Sequence, residues 1–451
     1  MADLAAIGST DGRVKSGSPV MRAALLVTAA GVVLKVVAVG KELVVAAVYG
    51  RSGELDAFLI AFLIPGLLVN LFGETANQAL IPTLVRVREG CGKAQAKRLL
   101  ESVQTAMVGL LVAGACVVGA GARWILPLVA TGFDGAKMQL AAELMVGLLP
   151  VVMLAGVASN SAAVANTEER FGWPALAQVT VPMWVGLMAW QLGGRYGIWA
   201  LVWGTVLGTL AQCVVTVYLQ GRSGYAFRLR WNGWTREMGE IAGQYGPLLL
   251  GSVVANAGLV VDQGMAASLK PGSVATLVYG NRFVSVVVTL LAGAVATAIT
   301  PYLSEAVARR QWTECRAMVR RWAGAMAMVS VPIAVAMIAG SRLLVAGTLQ
   351  HGVFHAADTL EVAPVQAMYA VQLPFFVVSR VYYRHLLAMR RTKVILACGM
   401  VNLVLDVVLN LVLMRWMGVA GIALATSLWT VSTFFFLMYW SGRVMREEEA
   451  R

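Results

Sequence analysis

The sequence predicts an all-α polytopic membrane protein with about twelve transmembrane helices in two pseudo-symmetric six-helix bundles. Of its 451 residues, 59% are hydrophobic and only 13% are charged, and the mean hydropathy is +0.74. A water-soluble chain of this size needs more polar surface. Apolar stretches long enough to cross a hydrocarbon core of about 30 Å recur along the whole chain. They span residues 24–49, 55–85, 99–121, 140–165, 173–192, 197–219, 241–268, 274–303, 318–340, 360–383, 394–414 and 418–441.

Lysine and arginine are distributed unevenly between successive loops. Of the 36 in the chain, 25 lie in the two tails and in every second loop, and 7 lie in the intervening loops. The remaining four lie within helices and are Lys35, Lys41, Arg282 and Arg380. By the positive-inside rule this bias predicts that both termini are cytoplasmic, which requires an even number of helices. The net charge of +13 therefore reflects membrane topology, and no nucleic-acid partner is expected.

The two halves of the chain contain matching motifs. Residues 79–84 (ALIPTL), near the end of helix 2, match residues 298–303 (AITPYL), near the end of helix 8. Residues 197–201 (GIWAL) likewise match residues 421–424 (GIAL) at the start of helix 12. Parallel repeats of this kind build several transporter folds, although small-residue and proline motifs also recur by chance. The predicted units are a cytoplasmic tail (1–21), a bundle (22–221), a cytoplasmic linker (222–239), a second bundle (240–442) and a second cytoplasmic tail (443–451).

Motifs for catalysis or for a bound cofactor are missing from the sequence. The five cysteines are scattered, without a CxxC pair or a nearby histidine cluster, so neither a disulfide framework nor a metal site is predicted. There is no P-loop, nucleophile elbow or HExxH motif. We therefore expect a protein that is not an enzyme, that has no cofactor and that takes its energy from an ion gradient, the membrane potential or substrate supply.

The first two helices carry charges at membrane depth. Lys35, Lys41 and Glu42 lie in helix 1 and Glu74 lies in helix 2. A charge at a helix centre costs roughly 2.5–3.5 kcal/mol when it faces lipid, so such residues usually face the protein interior or a water-filled cavity. The segment therefore indicates a polar cavity. Glu74 also precedes Pro82, which could mark a gating hinge or an ordinary kink.

A series of short motifs runs in order through the first 310 residues or so. They are Lys35, Lys41-Glu42, Tyr49-Gly50, Asp56-Ala57-Phe58, Pro65, Phe72-Gly73-Glu74, Gln78-Ala79, Pro82, Thr131-Gly132-Phe133, Asn166-Thr167, Tyr196-Gly197-Ile198, Gly272-Ser273-Val274, Tyr279, Arg282 and Ile299-Thr300-Pro301-Tyr302. Their order and spacing resemble those of the MurJ/MviN family, lipid II flippases of the multidrug/oligosaccharidyl-lipid/polysaccharide exporter superfamily. Family members have fourteen helices, so the resemblance implies a form shortened to twelve.

The resemblance implies a flippase that moves an undecaprenyl-diphosphate-linked saccharide, with lipid II as the first guess, across the bacterial inner membrane by alternating access. Membrane lipids are expected partners, and cell-wall synthesis proteins are possible ones. A diphosphate needs cations, and the expected substrate-binding residues are Lys35, Lys41, Glu42, Asp56, Glu74 and Arg282. Glu42 lies seven residues after Lys35, on the same helix face, so it is expected to pair with Lys35 until substrate binds. Asp56 could instead be a helix N-cap.

A second polar group lies in the last six helices. It consists of Asp262 in helix 7, Asn402 and Asp406 four residues apart in helix 11, and Thr426 in helix 12. Carboxylate, amide and hydroxyl oxygens suit a hard cation, so the group is a candidate site for a coupling Na⁺ or H⁺. The alternative is hydrogen bonding between helices by isolated polar residues.

Three other functions fit parts of the same sequence. A flippase for O-antigen or exopolysaccharide units would have twelve helices in the same superfamily. A cation-coupled multidrug exporter would be expected to have an aromatic, acidic cavity without Lys35 and Arg282. A scaffold that recruits cell-wall synthesis proteins would tolerate neutral substitutions at both of these positions.

Overall fold

The computed structural model describes residues 17–168 and 172–449. The side chains of residues 17–28, 74, 76 and 297 are not among the described ones. The predicted substrate contact of Glu74 therefore lies outside the described residues, as do most of the first tail and the last two residues of the second.

Twelve long helices follow one another at the predicted positions, and the described residues contain no strand. Eleven of them are long and apolar enough to cross a membrane, and the remaining one, helix 1, has 33 residues. In order they are Gly17–Tyr49, Gly53–Cys91, Lys93–Val129, Gly135–Thr167, Gly172–Tyr196, Trp199–Arg222, Arg236–Ala267, Ser273–Ala308, Trp312–Ala339, Ala356–Ala388, Thr392–Met417 and Val419–Glu449. The predicted all-α polytopic membrane fold is confirmed. Helix 1 begins and helix 12 ends at the same end of the bundle, called here the inner end, and the opposite end is the outer end.

Helix 2 is irregular in its middle. Its α-helical parts, Gly53–Leu68 and Thr75–Cys91, are joined by a π-helical segment, Val69–Glu74. Helix 7 contacts the helix at this segment, because Tyr245 donates a hydrogen bond to the Leu71 carbonyl oxygen at 3.0 Å. The hydroxyl groups of Thr75 and Ser252 are also 2.8 Å apart. The irregularity thus precedes Pro82 by two turns, and the proline itself lies in regular helix.

The same helix pairs pack together in the two halves of the chain. In the first half helix 4 packs against helices 2, 3 and 6, and helix 5 packs against helices 1 and 6. In the second half helix 10 packs against helices 8, 9 and 12, and helix 11 packs against helices 7 and 12. The recurrence agrees with the internal duplication read from the motifs. We refer to helices 1–6 as the N-terminal bundle and to helices 7–12 as the C-terminal bundle.

Helices 5 and 6 approach each other closely because glycines line the contact. A Cβ atom on Gly204 would lie 2.7 Å from the Cα of Val185, and one on Gly208 would lie 2.7 Å from the Cα of Val181. Small residues four apart allow backbones to pack in this way without a polar driving force. We expect Gly208→Val to destabilise the protein by about 2 kcal/mol or more, measured as a lower midpoint of thermal unfolding in detergent. Gly221→Val, in the same helix and with open space around it, should change the midpoint little.

Candidate functional site

Three predicted side chains from helices 1 and 8 meet between the two bundles. Oxygen Oε1 of Glu42 accepts a hydrogen bond from Nζ of Lys41 at 2.6 Å and forms an ion pair with Nη2 of Arg282 at 2.9 Å. Glu42 is only 6% exposed, whereas the side chains of Lys41 and Arg282 are 21% and 32% exposed. Two cations thus share one buried carboxylate. The cluster has a net positive charge and two partly accessible donors, so it can receive an anionic ligand.

The predicted pairing of Glu42 with Lys35 is wrong. Lys35 forms no ion pair with any residue that the structure describes, because Glu42 is bound by Lys41 and Arg282. The seven-residue spacing gives a common face but an axial separation of roughly 10 Å, which is too long for direct contact. Lys35 is half-buried and lies within electrostatic range of Arg282. It therefore adds a third positive charge on the inner side of the cluster.

A small recess adjoins the charged cluster. It encloses about 350 Å³, part of which is open to solvent, and it is lined by Lys41, Glu42, Leu59, Val278 and Tyr279 among others. Only about 40 Å³ of this space can hold a water-sized sphere, far below the roughly 300–1,000 Å³ of small-molecule sites. The polar cavity predicted between the bundles is therefore present here as a narrow space, and a saccharide diphosphate needs the bundles to separate further.

Asp56 connects the two bundles at the outer end instead of capping its own helix. The N-cap of helix 2 is Ser52, whose side chain accepts a hydrogen bond from the Leu55 backbone N–H. Asp56 is 1% exposed and accepts hydrogen bonds from the backbone N–H groups of Gly272, at 2.6 Å, and Ala275, at 2.8 Å. These groups begin helix 8, where a carboxylate interacts favourably with the helix dipole. In this closed arrangement the Asp56 carboxylate is engaged by these contacts, and its contact with substrate stays a prediction.

Lysine and arginine side chains complete the connection at the outer end, and sequence reasoning missed them. Lys137 forms an ion pair with Asp56 at 3.1 Å. Arg51 donates to the hydroxyl oxygen of Thr276 at 2.5 Å and to Oδ1 of Asp358 at 3.4 Å. Both cations are among the few basic residues of the outer loops. Their position in loops that contain so few basic residues is the sequence signal that could have identified them. Lys137 of helix 4 holds Asp56, whose carboxylate binds the start of helix 8, and Arg51 joins the loop between helices 1 and 2 to helices 8 and 10. The bundles are therefore closed at the outer end.

The second polar group also forms, with one change of membership. Asn410 donates from Nδ2 to Oδ1 of Asp262 at 2.7 Å and to Oδ1 of Asp406 at 3.2 Å, and Thr426 donates to Oδ2 of Asp262 at 3.2 Å. The predicted amide, Asn402, instead contacts the sulfur of Cys398 at 3.7 Å. Asn402 and Asn410 both lie four residues from Asp406, so helical spacing alone does not distinguish them.

By their chemistry, the two carboxyl groups of this polar group could hold a proton or a cation. Asp262 and Asp406 are buried, and the Asn410 side-chain amide bridges them by donating a hydrogen bond to each. Carboxylates only accept hydrogen bonds, so such a pair needs a shared proton or an added cation. In the part of the chain that the structure describes, no three His, Cys, Asp or Glu side chains gather as metal ligands. The oxygen-only donor set fits a hard monovalent cation or a proton better than a transition metal.

Comparisons with known proteins identify relatives of the whole chain. The family model described as lipid II flippase MurJ matches residues 45–450. A probable lipid II flippase MurJ from Synechocystis sp. is 24% identical over 440 residues, which cover 94% of this chain and 82% of that protein. The lipid II flippase MurJ of Burkholderia cenocepacia is 26% identical over 420 residues, covering 90% of this chain and 80% of that protein.

Solved structures agree with this fold. A lipid II flippase MurJ in an inward closed conformation superposes with a TM-score of 0.81 at 21% identity, covering 92% of this chain and 87% of that one. An inward-facing multidrug resistance transporter of the MATE family gives a TM-score of 0.77 at 14% identity, covering 92% and 95%. These likenesses concern the fold. The family model covers nearly the whole chain, and the chain therefore belongs to the MurJ family of lipid II flippases.

Proposed function

We propose that this protein moves lipid II, an undecaprenyl-diphosphate-linked saccharide, from the inner to the outer leaflet of the bacterial inner membrane by alternating access. The proposal is supported by family membership over residues 45–450 and by relatives named as lipid II flippases. The likeness to multidrug exporters is limited to the fold. Neither the exporter nor the O-antigen alternative is favoured by a relative of comparable sequence similarity.

The observation that carries the proposal is the cluster of Lys41, Glu42 and Arg282. A guanidinium presents a planar pair of donors that matches phosphate oxygens, and an ammonium adds a point charge. A diphosphate that enters between the bundles competes with Glu42 for both cations. Because Glu42 is buried and bound to both helices, the exchange of its partners for substrate would loosen the contact between helices 1 and 8.

Alternating access requires the outer end to open after substrate has bound. Asp56, which forms an ion pair with Lys137, and Arg51 hold that end closed through contacts with helices 8 and 10. The charge bias of the loops supports an extracytoplasmic outer end, with both termini in the cytoplasm. An anion moving outward in a cell that is negative inside gains about 2.3 kcal/mol per charge and 100 mV. The membrane potential therefore favours the proposed direction of transport.

The sharpest test identifies the lipid that accumulates when the protein is lost. The gene is depleted in its native host, and lipid-linked intermediates of the inner leaflet are extracted and analysed by mass spectrometry. We expect lipid II to accumulate, and a plasmid copy of the wild-type protein should reverse the effect. Accumulation of a different lipid-linked oligosaccharide would favour the O-antigen type of substrate. If no lipid-linked intermediate accumulates, the flippase proposal is wrong, and the scaffold alternative becomes testable through co-purifying cell-wall synthesis proteins.

We further propose that Asp262, Asp406, Asn410 and Thr426 bind the coupling cation, Na⁺ or H⁺. A cation that binds the folded protein raises its stability by about 2.7 kcal/mol at a hundred times its dissociation constant. If the ion is Na⁺, we expect NaCl to raise the midpoint of thermal unfolding above that in choline chloride of equal ionic strength. Asp406→Asn should abolish the difference because it removes one carboxylate.

Asn402→Ala is the matched control for the cation experiment. It removes an amide from the same helix that lies apart from Asp262 and Asp406, so it should keep the response to Na⁺. A midpoint that responds to pH but not to Na⁺ would identify the ion as a proton. An equal response to Na⁺ in Asp406→Asn and in the wild-type protein would rule out this site.

A further inference from the structure

The fourth cation within the helices, Arg380, lies far from the central cluster. It is eight residues from the end of helix 10, so its Cα is roughly 12 Å from the inner end of that helix. Arg282 is nine residues from the start of helix 8, roughly 14 Å from the outer end. Helices 8 and 10 pack directly against each other. Two arginines thus occupy the inner and outer halves of neighbouring helices.

The Arg380 guanidinium is held between aromatic rings. Its Cζ atom lies 4.2 Å from the centre of the Phe376 ring and 5.7 Å from that of Tyr383. Phe376 is one turn nearer the middle of the membrane, and Tyr383 is one turn nearer the inner end. The shorter distance to Phe376 shows that the side chain points toward the membrane centre. An arginine that extended to the nearer interface for hydration would point the opposite way.

The residues of helix 10 around Arg380 pack against helices 8, 9 and 12. Val377 and Val381 pack into the apolar cluster formed with helices 8 and 9. Tyr382 lies against Phe434 of helix 12, with ring centres 6.0 Å apart. Arg380 lies on nearly the opposite side of the helix from Tyr382 and is half-buried. Its guanidinium lies against aromatic rings in largely apolar surroundings.

Arg380 has no carboxylate partner anywhere in the described ranges 17–168 and 172–449, and Arg384 places a like charge one turn away. A charged side chain at membrane depth costs roughly 2.5–3.5 kcal/mol. Cation–π contact with the aromatic rings offsets about 0.5–2 kcal/mol of this cost, but no negative charge in the described part of the chain neutralises the guanidinium. Arg380 and Arg384 are therefore two neighbouring cations without an anion among the described residues, and Arg380 points toward the membrane centre. Such a pair has the chemistry of a phosphate receptor.

We propose that Arg380, with Arg384, is an entry site for the diphosphate of a prenyl-linked substrate in the inner half of the membrane, occupied before Arg282. The proposal rests on the proposed flippase function. Two arginines match the charge of a diphosphate better than that of a phospholipid with one negative charge. The rings of Phe376 and Tyr383 provide an apolar surface for the first isoprene units.

The test measures binding of farnesyl diphosphate to the full-length protein in phosphatidylcholine nanodiscs by isothermal titration calorimetry. Arg282→Gln serves as the background because it removes the outer-half arginine. In that background we expect Arg380→Gln to weaken binding about tenfold or more, the loss expected for a charge-assisted pair. Arg380→Lys should lose less, because it keeps the charge but not the paired donors. Inorganic pyrophosphate should bind more weakly than farnesyl diphosphate.

Arg123→Gln is the matched control for this experiment. Arg123 also lies over an aromatic ring, with Cζ 5.5 Å from the Trp124 ring centre, but in the outer half of helix 3. It should leave binding unchanged. Equal affinities with and without Arg380, for both the Gln and the Lys variant, would overturn the entry site. Equal binding of pyrophosphate, or displacement of the probe in phosphatidylglycerol nanodiscs, would overturn its assignment to a prenyl diphosphate. The depletion experiment is independent of these variants, so the proposed function is judged separately.

Discussion

Arg282→Gln is expected to reduce lipid II flipping by between about tenfold and a hundredfold, since hydrogen bonds to charged groups contribute roughly 1.5–3 kcal/mol each. Glutamine retains a donor for Glu42, so the variant should still fold. It removes the planar cation that joins helix 8 to helix 1 and that we propose binds the diphosphate. Arg282→Lys should be intermediate, because lysine keeps the charge without the paired donors. Flipping is measured in cells as the fraction of lipid II that an externally added lipid II-degrading enzyme can reach.

The control for this variant is Arg342→Gln. Arg342 is an exposed arginine of the short helix Ser341–Leu349, and its substitution removes the same charge without touching the cluster. Its activity should equal that of the wild-type protein. Wild-type flipping in Arg282→Gln, at equal amounts of protein in the membrane, would contradict the assigned role of the cluster.

Asp56→Asn is expected to open the outer end of the bundle. The substitution removes the ion pair with Lys137. It also weakens the two hydrogen bonds that the side chain accepts from backbone N–H groups at the start of helix 8. A loss of about 2 kcal/mol would shift the ratio of open to closed molecules roughly thirtyfold. Opening is measured in a cysteine-free background with Val278→Cys, because Val278 lines the recess. A membrane-impermeant maleimide added outside the cell should label this cysteine faster in Asp56→Asn.

Asp134→Asn provides the comparison for the outer end. Asp134 caps helix 4 by accepting a hydrogen bond from the Lys137 backbone at 2.8 Å, but it is exposed and lies on the N-terminal bundle alone. It should not change the labelling rate. The same rate in Asp56→Asn and Asp134→Asn would mean that Asp56 does not keep the outer end closed.

Much of the fold follows from the sequence because hydrophobicity decides it. The apolar stretches give twelve helices, since each must satisfy its backbone hydrogen bonds internally at membrane depth. The short helix Ser341–Leu349 was missed, because nine residues are too few to cross a membrane and leave no strong apolar signal. The π-helical segment was also missed, since Val69–Glu74 shows no composition that separates it from regular helix.

The residues of the site were easier to name than their partners. Charges at membrane depth pointed to Lys41, Glu42 and Arg282, yet the partner of Glu42 lies 240 residues further along the chain. Asp56 similarly caps a helix of the other bundle. Helical periodicity describes neighbours within one helix, and contacts between bundles depend on tertiary packing. For the same reason Asn410 could not be distinguished from Asn402.

The irregular middle of helix 2 has a mechanical consequence. Asp56 fastens the outer part of this helix to helix 8, and Leu71 and Thr75 fasten its middle to helix 7. A regular, stiff helix held at both places would have to break both sets of contacts before its outer part could move away from helix 8. The π-helical turn between these contacts has weaker backbone hydrogen bonding, so the helix can bend there. The outer part of helix 2 could then swing away from helix 8 while its middle and inner parts stay in contact with helix 7.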